Sequence, residues 1–274
     1  MAGRRDAGAP ATRYKPPVGR RQAAVRRRPA TRKRRRVTPA PSRWTRWLRW
    51  LGLAAGGFVV ASLLGVGLFR FVEPPVTPLM VIRLAEGVTH WRWVGIDHRP
   101  IPLSRVSPAL LRSVIAAEDA RFFRHGGVDW DALRKARAWN ARHAKSGRVR
   151  GASTITMQCA RNVFLWQGRT YLRKGLEIWF SLLMERAWSK RRILEVYVNV
   201  IEWGPGIYGV EAASRRFFGV PASRLDAHQA SLLAAVLPNP LLRSAKEPSA
   251  SVERRAAMIA RRAPRVRLPR LGGS

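Results

Sequence analysis

The sequence predicts a mostly α-helical protein carried on a single N-terminal membrane-spanning helix. Three observations support this. The twenty residues from Trp50 to Phe69 carry no charge and are bracketed by Arg49 and Arg70. Beyond them, apolar residues recur at three- and four-residue spacings, as Leu110, Leu111, Val114 and Ile115 do, which is the repeat of one helix face. Ser107, Asp129, Thr170 and Ser189 stand at the heads of such runs, where side-chain oxygens cap free helix N–H groups, and strict apolar–polar alternation is rare.

Composition narrows the possible partners. The 274 residues include 52 Lys and Arg against 16 Asp and Glu, a formal net charge of +36. Such an excess implies nucleic acid, an anionic membrane surface or a phosphate-bearing substrate. A single cysteine, Cys159, excludes an intrachain disulfide, and the five histidines show no metal-ligand spacing.

Residues 1–46 read as a basic, disordered tail. Up to Arg49 there are seventeen Lys and Arg against one acid, Asp6, with prolines at 10, 16, 17, 29, 39 and 41. Residues 47–72 read as the membrane helix, since about twenty helical residues at roughly 1.5 Å each span the hydrocarbon of a bilayer. Trp44, Trp47 and Trp50 at one end and Phe69 and Phe71 at the other resemble interfacial belts. The positive-inside rule places the tail in the cytoplasm and everything after Phe71 outside. The tail is therefore a topology signal and lipid-surface anchor, and no helix-turn-helix or base-stacking feature supports nucleic-acid binding. Residues 73–106 read as a connecting region, with a proline-stiffened exit at Glu73-Pro74-Pro75 and short extended pieces further on.

A helix from Ser107-Pro108 then delivers Glu118 and Asp119 into V-I-A-A-E-D-A-R-F-F-R-H-G-G and stops at Gly126-Gly127. Taken alone, this stretch is explained at least as well by a Glu118–Arg121 surface pair as by a catalytic carboxylate. Asp129 heads the next helix. It gives way near Trp139 to a basic loop with seven Lys and Arg and no acid between Arg134 and Arg150, suited to lipid phosphates. Gly151 to Gln158, G-A-S-T-I-T-M-Q, places small and hydroxyl residues ahead of a helix, where free N–H groups suit an anion. Arg161, Asn162 and Arg169 follow. The helix capped by Thr170 puts Arg173, Lys174 and Glu177 on one face. Helices from Ser189, from about 210 to 217 and from Asp226 complete the pattern, with E-W-G-P-G-I-Y-G as a loop. A last helix near 251–262 precedes a basic, frayed C-terminal tail, 263–274.

In this order the pieces resemble the peptidoglycan glycosyltransferases of glycosyltransferase family 51. Glu118, Asp119, Arg121, Phe122, His125 and Gly127 fit the family's first motif, and Gly151, Ser153, Thr154, Ile155, Thr156 and Gln158 the second. Arg173-Lys174-x-x-Glu177 fits the third, Ile193-Leu194-Glu195-x-Tyr197-x-Asn199 the fourth, and residues 206–219 the fifth. Met157 departs from the second motif, which often carries a glutamine there.

The resemblance implies a two-lobed, lysozyme-like domain over 73–262, without the transpeptidase domain of bifunctional relatives. It implies polymerisation of lipid II onto a growing glycan chain at the inner membrane, in contact with membrane lipids and cell-wall synthesis or division proteins. Glu118 and Glu177 become the catalytic carboxylates, with Glu118 the base. Ser153, Thr154, Gln158, Arg161, Asn162, Arg169, Arg173 and Lys174 bind substrate or pyrophosphate, and Asp119, Arg121, Phe122 and His125 support them. A divalent cation, Mg²⁺ or Mn²⁺, remains open. The chemistry agrees: a sugar hydroxyl needs a base, and a pyrophosphate leaving group needs cations and N–H donors. An enzyme that cleaves glycans would instead need an acid in an apolar pocket and has no use for a row of arginines.

Overall fold

The structure is a computed structural model, which describes residues 43–89, 95–147, 149–168 and 170–269. The expectations for the basic tail up to residue 42, for residues 90–94, for Arg148 and Arg169, and for the last five residues lie outside that range. Helices dominate the described residues, as expected.

Helix α1 (Arg43–Phe69) starts ahead of the expected 47, and its most apolar eighteen-residue window has a mean hydropathy of 2.1 with 11% of it buried. It is long and apolar enough to cross a membrane, which fits a single-pass membrane protein. Residues 43–48 form its exposed opening turns. Beyond Arg49, α1 packs on α5 (Ile155–Phe164) and α6 (Tyr171–Ala187). Phe58 meets Trp179 and Phe180, Phe69 meets Phe164, and the Trp188 indole N–H donates to the Val66 carbonyl at 2.7 Å. A helix ends with carbonyls that have no partner within it. Here Arg192 supplies donors, binding Phe69 O at 3.0 and 3.1 Å and Val72 O at 2.8 Å while pairing with Glu73 and Glu195.

Two parts of the chain differ from their sequence reading. Within the expected connecting region lies a helix, α2 (Pro78–Thr89), which buries Leu79 and Met80. Proline at its first position costs nothing, because that N–H would have no helical partner. The expected loop E-W-G-P-G-I-Y-G forms two strands, β2 (Glu202–Gly204) and β3 (Ile207–Tyr208). With β1 (Asp97–His98) they make a small sheet of order β1-β3-β2, with β1 parallel and β2 antiparallel to β3. These strands are too short for alternation to register in sequence.

Helix α3 (Pro108–Glu118), capped by Ser107, packs on α9 (Ala227–Val236) and α10 (Ala250–Arg262). Residues Ala230 to Val236 of α9 are all buried, and their small Ala and Ser side chains let α3 approach closely, with Ser113 Oγ 3.4 Å from Ser231 Oγ. A second group joins α5 and α6 to α7 (Lys190–Val200), and one apolar core runs through both groups. Helices α4 (Trp130–Arg142) and α8 (Val210–Phe218) flank them. The C-terminal segment expected to fray continues in contact with this core through Val266 and Leu268, apolar residues two apart that both face inward.

Gly209 opens α8 at φ 81°, and a Cβ there would lie 2.8 Å from the Asn199 carbonyl oxygen. Gly209→Ala should therefore lower stability by about 2 kcal/mol or more, read as a drop in the thermal midpoint of the detergent-solubilised protein. An unchanged midpoint would show that the turn adapts.

Candidate active site

Glu118 is the last residue of α3, and the element that aims it is the residue after it. Asp119 caps the helix C-terminus with its side chain turned inward and buried. Its Oδ2 accepts from the Ile155 backbone N–H at 3.0 Å, one of the free donors at the start of α5. The His125 Nε2–H donates to the same carboxylate at 2.9 and 3.1 Å. Asp119 thus holds His125. Arg121 turns away to Asp129 at 3.3 Å and Asp131 at 3.6 Å. Phe122 is fully buried beneath this turn, with the Lys190 ammonium 4.5 Å from its ring centre, and Lys190 donates to the His125 carbonyl at 2.7 Å.

Gly127 has a different reason from the one sequence suggests. Its φ is 90°, and a Cβ there would lie 2.8 Å from Glu185 Cγ and 3.0 Å from the Ser181 carbonyl oxygen. The space it leaves is filled by α6.

The Glu118 carboxylate is held asymmetrically. Oε2 accepts from Gln158 Nε2 at 2.9 Å, and Gln158 Oε1 accepts from the Tyr197 hydroxyl at 3.0 Å. Tyr197 is fully buried, and burial pushes its phenol well above the usual range, so the hydroxyl keeps its proton and acts as donor. That fixes the amide with its NH₂ toward Glu118. Oε1 has no hydrogen-bond partner, and Arg255 of α10 stands 3.6 Å away. Burial lowers the Arg255 pKa and the Glu118 charge partly offsets this, and the guanidinium remains charged.

This carboxylate opens on a cavity of about 720 Å³ that Asp119, Arg121, Ser153, Thr154, Gln158 and Arg255 also line. Thr154 contributes shape more than contact. It is buried, its hydroxyl donates to the Gly127 carbonyl, and it accepts from the Met157 N–H at 3.1 Å as the α5 cap. Met157 is buried, so the departure from the second motif falls inside the protein. Ser153 Oγ accepts from Lys174 Nζ at 3.0 Å, and Lys174 also donates to Glu177 Oε2 at 2.8 Å. The other Glu177 oxygen pairs with Arg173, so this carboxylate, 2% exposed, is enclosed by two cations. Arg161 and Asn162 lie beyond Gln158, lining a neighbouring cavity of about 230 Å³ with Arg83 and Tyr197. Arg161 Nε is buried there without a partner.

Sequence reasoning missed Arg255, which lies 137 positions after Glu118 on a helix rich in arginines, with nothing in its spacing to single it out. Tyr197 was visible as part of the fourth motif without an assigned role. The residues present do not form a cage for a divalent cation. Glu177 is already enclosed by cations, and among the described residues no three His, Cys, Asp or Glu converge.

The transglycosylase family profile matches residues 88–263. Biosynthetic peptidoglycan transglycosylase of Rhodospirillum centenum is 51% identical over 217 residues, covering 79% of this chain and 90% of that protein. The protein of the same name in Caulobacter vibrioides is 52% identical over 216 residues, 78% of this chain and 90% of its own. That of Xanthomonas campestris pv. campestris is 49% identical over 224 residues, 81% and 90% respectively.

Because Asp119 joins three segments through one buried carboxylate, Asp119→Ala should cost about 3 kcal/mol in chemical denaturation, the range for stranding buried polar partners. A loss below about 1 kcal/mol would mean that solvent replaces these contacts readily.

Proposed function

The chain belongs to the transglycosylase family and is a peptidoglycan glycosyltransferase of cell-wall synthesis. We propose that it polymerises lipid II into β-1,4-linked glycan strands, with Glu118 as the base. The observation that carries this assignment is the asymmetry of the Glu118 carboxylate. Gln158 occupies one oxygen, and the other, buried beside Arg255 in a residue that lines the cleft, has no hydrogen bond and retains unused acceptor capacity. The acceptor 4-hydroxyl gives its proton to that second oxygen as its own oxygen attacks the anomeric carbon of the donor. The C1–O bond to undecaprenyl pyrophosphate breaks, and a single displacement converts an α-linked donor into a β-linkage. Such a positioned base contributes roughly 10²–10⁴ in rate.

The leaving pyrophosphate needs positive charge and N–H donors where its own charge develops. Lys174, reaching the cleft wall through Ser153, supplies this from one side, and Arg161 from beyond Gln158. Glu177 holds Arg173 and Lys174 in place and neutralises part of their mutual repulsion; it does not act on the sugar. Arg169 belongs to the same cationic group by its place in sequence. Arg255 favours the charged form of the base and leaves Oε1 when the acceptor arrives. No step is routed through a metal ion.

In this reading α1 spans the inner membrane with the N-terminus cytoplasmic and the cleft on the opposite face, where lipid II and the growing strand are held. Phe71, Val72 and Val76, exposed just beyond α1, suit contact with membrane lipid.

Labelled lipid II incubated with the detergent-solubilised protein should give polymer, and Glu118→Gln should lower turnover by roughly 10²–10⁴. Equal turnover in that variant would remove Glu118 as base, and no polymer from wild type would remove the function. Tyr197→Phe frees the Gln158 amide to rotate and should cost about tenfold in kcat at little change in KM. Lys174→Ala should slow donor use by about tenfold or more while the thermal midpoint stays near wild type. Unchanged turnover there would leave Lys174 only its ion pair with Glu177.

A further inference from the structure

A second concavity, of about 810 Å³, adjoins α3 away from Glu118. Ala116, about 200° around the helix from Glu118, forms part of its floor with Phe123 and Val266. Four arginines stand around that floor: Arg124 from the turn after α3, Arg262 at the end of α10, and Arg265 and Arg267 from the segment beyond it. Among the described residues none of these four guanidinium groups has an ion-pair or hydrogen-bond partner. Arg83, Arg121, Arg173, Arg192 and Arg215 are all paired with carboxylates. Unpaired arginines are expected in a chain this basic. Four exposed ones that line a single concavity with an apolar floor are a binding arrangement.

The size and lining define the ligand. Pockets of about 300–1,000 Å³ enclose a small organic molecule rather than a lone ion. Guanidinium forks match carboxylates, and the apolar floor suits short aliphatic side chains. The ligand is thus a short peptide with at least two carboxylates. A lipid headgroup fits less well, because α1 docks on α5 and α6, whereas this pocket is built from α3, α10 and the chain after it. Ala120 lines both this pocket and the Glu118 cleft, so a branch on a sugar held in the cleft has one turn of backbone to cross.

We infer that this pocket receives the carboxylate-bearing peptide branch of the sugar substrate, and that it makes the enzyme favour substrates whose branch is anionic. The inference rests on the polymerase reading above, and binding is measured separately from turnover so that the two can fail independently.

The soluble probe is N-acetyl-L-alanyl-D-glutamate, compared with its diamide by ligand-observed NMR on the full chain in detergent micelles. The diacid should bind about fivefold more tightly than the diamide, as a few solvent-open charge contacts give. The double variant Arg262→Gln, Arg265→Gln should remove that difference. Both residues are exposed, so its thermal midpoint should match wild type. In turnover, wild type should use lipid II with free branch carboxylates at higher kcat/KM than lipid II with amidated ones. The double variant should use the two equally, at the wild-type rate for the amidated form. Equal binding of diacid and diamide by wild type, or a preference that survives the double variant, overturns the pocket. Absence of polymer from wild type overturns the function alone, and the binding comparison still decides the pocket.

Discussion

The site depends on one buried carboxylate. Asp119 ends the helix that carries Glu118, accepts the first free N–H of the helix that carries Gln158, and holds the ring of His125. A short acid in that position removes three problems at once. It gives a C-terminal helix residue an inward partner, it satisfies an orphan donor at an N-terminus, and it fixes the turn between them. Glu118 and Gln158 are thereby brought to within 2.9 Å of each other, where the amide holds one carboxylate oxygen. Asp119 is a joint of the scaffold, and Glu118 beside it keeps one oxygen without a hydrogen bond.

The two motif glutamates of the sequence reading separate in the same way, through what surrounds them. Glu118 has one oxygen committed and one oxygen without a hydrogen bond. Glu177 has both oxygens taken by cations and almost no exposure. A carboxylate enclosed in that manner cannot also receive a proton from a substrate without losing its ion pairs. Its effect is to keep Arg173 and Lys174, adjacent like charges on one helix, at fixed positions that neither would hold alone. In the proposed reaction the second acid therefore serves the leaving group only through the cations it holds.

Much of this was legible in the sequence. The uncharged run gave α1, and Ser107, Asp129, Thr154, Thr170, Ser189 and Asp226 cap helices in the structure. Capping and apolar spacing are local, so they survive without knowledge of neighbours. The failures are non-local or too short to have a period. Helix α2 is a single amphipathic stretch after three prolines, and two-residue strands have no alternation to detect. Arg255 reaches Glu118 only because α9 brings α10 against α3. Thr154 looked like a substrate contact because its neighbour in space, the Gly127 carbonyl, was not yet known.

The way Arg192 closes the end of α1 has a mechanical consequence. Three carbonyl contacts and two carboxylates meet on a single guanidinium planted on α7, the helix that also carries Tyr197. Helix α1, long and apolar enough to cross a membrane, is thereby joined to α7 by a bracket of hydrogen bonds rather than a tether. Any tilt of α1 is passed to the helix that orients the Gln158 amide.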